Sequence, residues 1–296
     1  MSTDHPHAHH LGPNDSQLPL TFWVTMALIV LLCLGAWWSR SLALWADAGH
    51  TMTDLAAISL SWYAFRQLKR APTERMSFGY ARMEVLVAFF NGVLLIAVAL
   101  ALIVEALQQW HHPVNTRSTL MMATAAVAMA VYGGLALRFH HHDNLNLFGT
   151  WLHLLSDAAS SMAVLLGGVI LALTHWPVVN PVLTLLIALA MIASTWRILK
   201  DGLGILMEAT PPNVDPASIT KILSTVPGVE RIHDLHVWRI GSGQTALACH
   251  VGVTTGWQGK DPQILLCQIH DALEALGINH VTIQLEHGDE VHHEPW

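Results

Sequence analysis

The chain has 296 residues, 53% hydrophobic and only 12% charged, with a mean hydropathy of +0.43 and a formal net charge of −7. Soluble domains carry about 25% charged residues, so this deficit argues against an ordinary soluble protein and points to a polytopic membrane protein. Basic residues are few and not clustered with aromatics, which argues against a nucleic-acid partner.

Residues 1–18 form a polar tail rich in histidine, with His5, His7, His9 and His10. No cleavable signal peptide is expected, because the first apolar run is long enough to span. At about 20 residues per span, six apolar segments follow: Leu20–Trp38, Leu42–Phe65, Met83–Gln108, Leu120–Leu137, Leu147–Thr174 and Val178–Leu199. From Leu145 to Trp196 the only Asp, Glu, Lys or Arg is Asp157. Ser39-Arg40-Ser41 is so short a connection that the first two spans form a tight hairpin. The connection at Trp176-Pro177 is also short.

Lys and Arg in the loops set the orientation. Arg66, Lys69, Arg70, Arg75 and Arg82 follow the second span, Arg138 the fourth, and Arg197 and Lys200 end the sixth. The other side holds only Arg40 and Arg117. The basic side is therefore cytoplasmic, and with an even number of spans both termini are cytoplasmic too. Glu84 and Glu105, near the ends of the third span, read as interfacial charges. Asn91 within it is placed to bond across helices.

From about Pro211 charged and polar residues return at globular density. The tail reads α-β-β-α-β. Asp215 caps a helix with Pro216 at its first position. Val229–Ile240 and Gln244–Thr254 read as strands joined by Gly241-Ser242-Gly243. Asp261-Pro262 opens a second helix, which ends at Gly277. Ile278–Glu286 alternates as a strand, with Val281, Ile283 and Leu285 on one face. The fold class is an α-helical polytopic membrane domain of six transmembrane helices plus a small C-terminal α+β ferredoxin-like domain. The map is a tail at 1–18, a transmembrane domain at 19–209, a cytoplasmic domain at 210–287 and a His-containing tail at 288–296. Cys33, Cys249 and Cys267 form no C-x-x-C and no plausible disulfide framework, which fits a reducing compartment.

Two motifs carry the chemistry. H-x-x-x-D occurs at His50–Asp54 and again at His153–Asp157, in the second and fifth spans. Positions i and i+4 share a helix face, so each span presents one imidazole and one carboxylate. Ionisable groups inside a membrane are costly, and each is a functional-site hypothesis by default. Together the four make a His2Asp2 set suited to a tetrahedral divalent metal, zinc above all. Asp47, one turn before His50, reads as an outer partner of His50, a proton relay, or a residue near the helix mouth. Zinc requires neutral imidazole and ionised carboxylate, so its binding releases protons and exchange of metal for protons is natural. The chain has 20 histidines. Those at His140, His141 and His142, at His287, His292 and His293, and in the N-terminal tail read as low-affinity metal-capture tracts.

The chain resembles the cation diffusion facilitators of zinc-transporting type. The resemblance runs from about Leu20 to His287. It rests on Leu44-Trp45-Ala46-Asp47-Ala48-Gly49-His50 leading to Asp54, on Ser77-Phe78-Gly79-Tyr80, and on Leu145-Asn146-Leu147 leading to His153 and Asp157. In the tail it rests on His233-Asp234-Leu235-His236-Val237-Trp238 and on His280 through Glu286. It implies a homodimeric antiporter that exports Zn2+, with Cd2+ plausible, from the cytoplasm against inward proton flow; the short loops and compact chain point to a bacterial inner membrane. The transport site of that family maps onto His50, Asp54, His153 and Asp157. Its cytoplasmic zinc ligands map onto His233, His250 and Glu286, with His280 a further candidate. Strand parity places His233 with Leu235 and Val237 on the core face, so a bulge, or a strand that starts after His233, is required to free it; His236 falls on the other face with Trp238. A loop site found in some relatives maps onto Thr73, Met76 and Tyr80, none a good zinc ligand. No cofactor beyond bound zinc is implied, and the partners are divalent cations, protons, the bilayer and a second copy. The alternatives are another main metal (Mn, Fe, Co or Ni), an intramembrane zinc enzyme, or a sensor. The enzyme reading lacks H-E-x-x-H.

Overall fold

The α1–α2 turn illustrates how the chain reverses within three residues. Arg40 adopts the left-handed conformation with φ 55°. Its N–H donates to Trp37 O, and the Ser41 N–H reaches back to Ala36 O at 3.2 Å. This pairing satisfies the last carbonyls of the helix, normally with glycine at the left-handed position. The structure, a computed structural model, describes residues 18–68, 70–139, 145–241, 243–254 and 261–287. The histidine tracts at 5–10, 140–142 and 292–293 lie outside the described residues.

The long helices are α1 (Leu18–Ser39), α2 (Leu42–Leu68), α3 (Arg82–His111), α4 (Ser118–Phe139), α5 (Leu145–Thr174) and α6 (Val179–Leu206). Five of them, all but α2, are long and apolar enough to cross a membrane. The sequence leads one to expect six. At 27 residues α2 has the length, but Asp47, His50, Thr51, Thr53 and Asp54 dilute its hydropathy. Exposed Trp37, Trp38, Trp62, Trp110 and Trp176 lie near helix ends, where amphipathic rings favour the membrane interface.

Small residues let these helices approach closely. A Cβ on Gly35 of α1 would stand 2.8 Å from Thr124 Cβ of α4. On α5, Gly168 leaves room for Met122 of α4, and the adjacent Gly167 leaves room for Leu183 of α6. Both flanks of α5 are thus in tight contact. Leu32, Leu44, Met121, Val164 and a series of alanines fill the space between α1, α2, α4 and α5.

Chain contacts divide the molecule into two compact units, Met1–Ile58 with Val93–Thr195, and Ser59–Gly92 with Trp196–Trp296. The second unit contains a three-stranded sheet in the order β1 (Val229–Gly241), β2 (Gln244–Val253), β3 (His280–His287). β1 and β2 run antiparallel, while β2 and β3 run parallel. Helix α8 (Pro262–Glu274) makes the crossover that a parallel pair needs. Asp261 accepts from Gln263 N at 2.9 Å to cap it, and Asp215 accepts from Ala217 N and Ser218 N to cap α7 (Pro216–Leu223). Leu247, Cys249 and Val251 of β2 pack with Ile219, Leu223, Leu265, Ile269 and Leu273 of the two helices. That core covers one face of the sheet. Cys249 is buried in this core, and burial pushes its thiol up to about 11.

Candidate metal centres

Helices α2 and α5 bring the two H-x-x-x-D motifs together. His50 Nε2 lies 3.5 Å from Asp54 Oδ2 and 3.4 Å from Asp157 Oδ1. His153 Nε2 lies 3.4 Å from Asp54 Oδ2 and 3.6 Å from Asp157 Oδ2. Each imidazole therefore faces the carboxylate on its own helix and the one opposite. These separations are long for hydrogen bonds. They match the ligand-to-ligand edge of a tetrahedron, about 3.4 Å for metal–ligand bonds of about 2.05 Å. His50, Asp54 and Asp157 offer ligand atoms all within 4.8 Å of one another, and His153 closes the set through both carboxylates. The rings of His50 and His153 stand edge to face at 6.1 Å. Asp157 is buried, His50 and Asp54 are half-buried, and His153 is half-exposed.

Around this set lies a polar collar, of which the sequence singled out only Asp47. Asp47 is buried, and its Oδ2 accepts a hydrogen bond from Ser161 Oγ of α5 at 3.0 Å. Thr51 Oγ1 donates to Asp47 O at 2.8 Å, which makes Tyr132 of α4 the donor in its 2.6 Å contact with Thr51. Ser161 is one turn beyond Asp157, so the spacing itself was the available signal. His50 Nδ1 is buried without a partner among the described residues, unlike the usual metal-bound histidine, whose second nitrogen is held.

A second cluster sits on the open face of the sheet. His233 pairs with His250 across β1 and β2, and the register then slips between His233 and His236. Asp234 at the slip has φ 50°. This is a bulge with its extra residue in the left-handed region. It corrects the parity reading of the sequence: His233 and His236 now share the face of His250, while Val237 stays in the core. His233 Nε2 is 2.8 Å from Glu286 Oε2, and His250 Nδ1 is 3.0 Å from Glu286 Oε1, close but not aligned as a hydrogen bond. Asp234, not singled out in the sequence, lies 2.8 Å from His236 Nε2 and 3.6 Å from His250 Nε2. Burial pushes the Glu286 carboxyl up, but the hydrogen bond from His233 and the charges of His233 and His250 outweigh that and hold it below its ordinary value. His233, His250 and Glu286 form a set that could hold a metal. His280 is not among them. It opens β3, six residues from Glu286, and its ring packs edge-on against Phe78 at 5.4 Å.

The remaining positions play other parts. Thr73 and Met76 exchange backbone hydrogen bonds in a tight turn. Arg82 pairs with Glu208 at 2.6 Å. Arg66 stacks on Trp62 at 4.0 Å. Asn91 Oδ1 is buried without a hydrogen-bond partner among the described residues, contrary to the bond across helices read from the sequence.

Long apolar helices with a His–Asp cluster that could hold a metal ion, and a small sheet domain with a His–Glu cluster that could hold another, are features of a metal-handling membrane protein. The cation efflux transmembrane domain pattern matches residues 18–207, and the cytoplasmic domain of cation efflux proteins matches residues 211–288. The chain belongs to the cation efflux family and is a multi-pass membrane transporter of metal cations, not an enzyme. It is 32% identical over 286 residues to the cadmium, cobalt and zinc/H(+)-K(+) antiporter of Bacillus velezensis, covering 95% of this chain and 91% of that protein. It is 34% identical over 305 residues to the zinc transporter ZitB of Escherichia coli, covering 99% and 96%. To the metal cation efflux system protein CzcD of Cupriavidus metallidurans it is 33% identical over 290 residues, covering 97% and 90%.

Proposed function

We propose that the chain exports Zn2+, with Cd2+ as a second cargo, from the bacterial cytoplasm across the inner membrane in exchange for protons. The observation that carries this reading is the set of four imidazole–carboxylate separations of 3.4–3.6 Å between α2 and α5. Two neutral imidazoles and two carboxylates neutralise a divalent cation and hold it without a bound hydrolytic water. Loading displaces protons from the histidines, and a proton gradient returns them after release. Asp47, hydrogen-bonded to Ser161 one turn from His50, is the group we assign to passing protons beside the site. Relatives named for zinc, cadmium and cobalt support the metal class, and one named as an antiporter supports the exchange.

In this reading α2 is a sixth span, with its polar residues facing α5 instead of lipid. The transmembrane domain runs 19–209 and a ferredoxin-like cytoplasmic domain 210–287, with both termini on the basic, cytoplasmic side. The protein is a homodimer. His233, His250 and Glu286 hold a regulatory zinc ion, and His280 is left out of that set. A metal panel in proteoliposomes tests the proposal, comparing Zn2+, Cd2+, Co2+, Mn2+ and Ni2+ across a proton gradient. Zinc uptake with proton counterflow is expected. Asp54→Ala and Asp157→Ala are expected to abolish both, and intact transport in either variant would overturn the site assignment.

A further inference from the structure

At the end of the bundle opposite the basic loops, one buried amide joins several segments. Asn180, in the first turn of α6, is 1% exposed. Its Oδ1 accepts from Ser41 Oγ at 2.9 Å and from the Ala43 backbone N–H at 3.2 Å. Its Nδ2 donates to Gln109 Oε1 and Thr116 Oγ1, both at 3.4 Å. The Ala43 N–H can only donate, which fixes the amide's orientation and leaves its two hydrogens for the other partners. Thr116 in turn donates to Arg40 O at 3.3 Å, and Arg117 N donates to Ser39 O at 2.8 Å. The α1–α2 turn, the end of α3, the α3–α4 loop and the start of α6 are thereby tied to one side chain.

The tie bears on α2 in particular. The first N–H groups of a helix have no partner within it, and in a bilayer they must find one in the protein. Ser41 Oγ accepts from Leu44 N at 3.3 Å, and Asn180 supplies the cap for Ala43 from another helix. Ala43, Leu44 and Ala46 are fully buried while Trp45 between them is exposed, so the face of α2 turned into the bundle is closed at this end. His50 lies nine residues beyond Ser41, about 14 Å along the helix. Asn180 ties the first turn of α2 to α6, so any parting of these two helices that admits water past this end toward His50 breaks its bonds.

We infer that Asn180 is the extracytoplasmic latch of the transporter: a positioning residue that holds this side shut and exchanges its four partners for water when the metal is released. The inference rests on the transport reading above. The test uses the full chain with Cys33, Cys249 and Cys267 replaced by alanine and Leu44→Cys as reporter. Labelling is done in spheroplasts with a membrane-impermeant methanethiosulfonate. Asn180→Leu, which removes all four bonds, is expected to speed labelling by at least roughly tenfold, the factor that even one net hydrogen bond supplies. Asn180→Asp, which keeps the acceptor and loses both donors, is expected to fall between. Zinc affinity of the purified protein stays unchanged in both, while kcat for zinc shifts and KM does not. Ser41→Ala and Thr116→Val remove one arm each and decide the matter if Asn180→Leu does not fold. Equal labelling across the folded variants overturns the latch, and so does a fall in zinc affinity that parallels labelling. Failure of the unsubstituted protein to move zinc would sink the transport reading, while the labelling comparison would still test the latch.

Discussion

In the proposed transport site, the two imidazoles of His50 and His153, each within 3.6 Å of two carboxylates, are the ligands through which metal choice is tested. Replacing His50 with Asp exchanges a borderline nitrogen for a hard oxygen, and carboxylate sets suit manganese where imidazole suits zinc. His50→Asp is expected to keep transport and shift preference from Zn2+ toward Mn2+, read as the ratio of their kcat/KM values in proteoliposomes. The sheet cluster offers a pH test. Glu286 has a carboxyl held below its ordinary value in the folded, metal-free domain. A depressed folded pKa contributes stability that is present above the unfolded value and lost as pH falls through the folded one. The metal-free protein is therefore expected to lose protection of the sheet from amide exchange as pH drops below about 4.3, the ordinary glutamate value. Glu286→Gln is expected to flatten that dependence. Of the candidate site residues, the pairing of His50 with Asp54 and of His153 with Asp157 was legible from i, i+4 spacing alone. The contacts of Tyr132 and Asn180 were not, because a tyrosine or an asparagine in an apolar helix gives no sign of which neighbour it meets.

At the scale of elements, glycine placement separates tight contacts from loose ones. Gly35 of α1 faces the short, branched Thr124 of α4, with Thr124 Cβ 2.8 Å from where a Cβ would stand. Thr124 has no flexible end that can swing away, so Gly35→Ala is expected to cost about 1–3 kcal/mol, typical of overpacking. Gly133 of α4 has nothing within 4 Å. Gly133→Ala is expected to be neutral or to gain up to about 1 kcal/mol from helix propensity. Thermal unfolding in detergent reads both, and equal effects would contradict the packing argument. Helix caps were legible in the sequence: Asp215 and Asp261, each followed by proline, start α7 and α8. The β1 bulge was not. Strand alternation sends His233 into the core, and only the left-handed Asp234 returns it to the face of His250.

At the scale of the whole molecule, the two candidate centres lie in different compact units and share no residue. Sites with no shared partners behave additively when far enough apart. A zinc titration of the purified protein is thus expected to show two classes of site. Asp54→Ala is expected to remove one and His250→Ala the other, each leaving the remaining affinity unchanged; loss of both classes in either variant would mean that the centres are coupled. Sequence alone determined the membrane character, the small domain with its sheet that follows, and the pairing of a histidine with an aspartate on one face of each of two helices, because composition and helical period are local properties of the chain. Only the tertiary structure decided which carboxylate faces which imidazole, that a bulge turns His233 outward, and that one asparagine binds the ends of several helices. Those depend on contacts between residues as much as 139 positions apart, which no local pattern encodes.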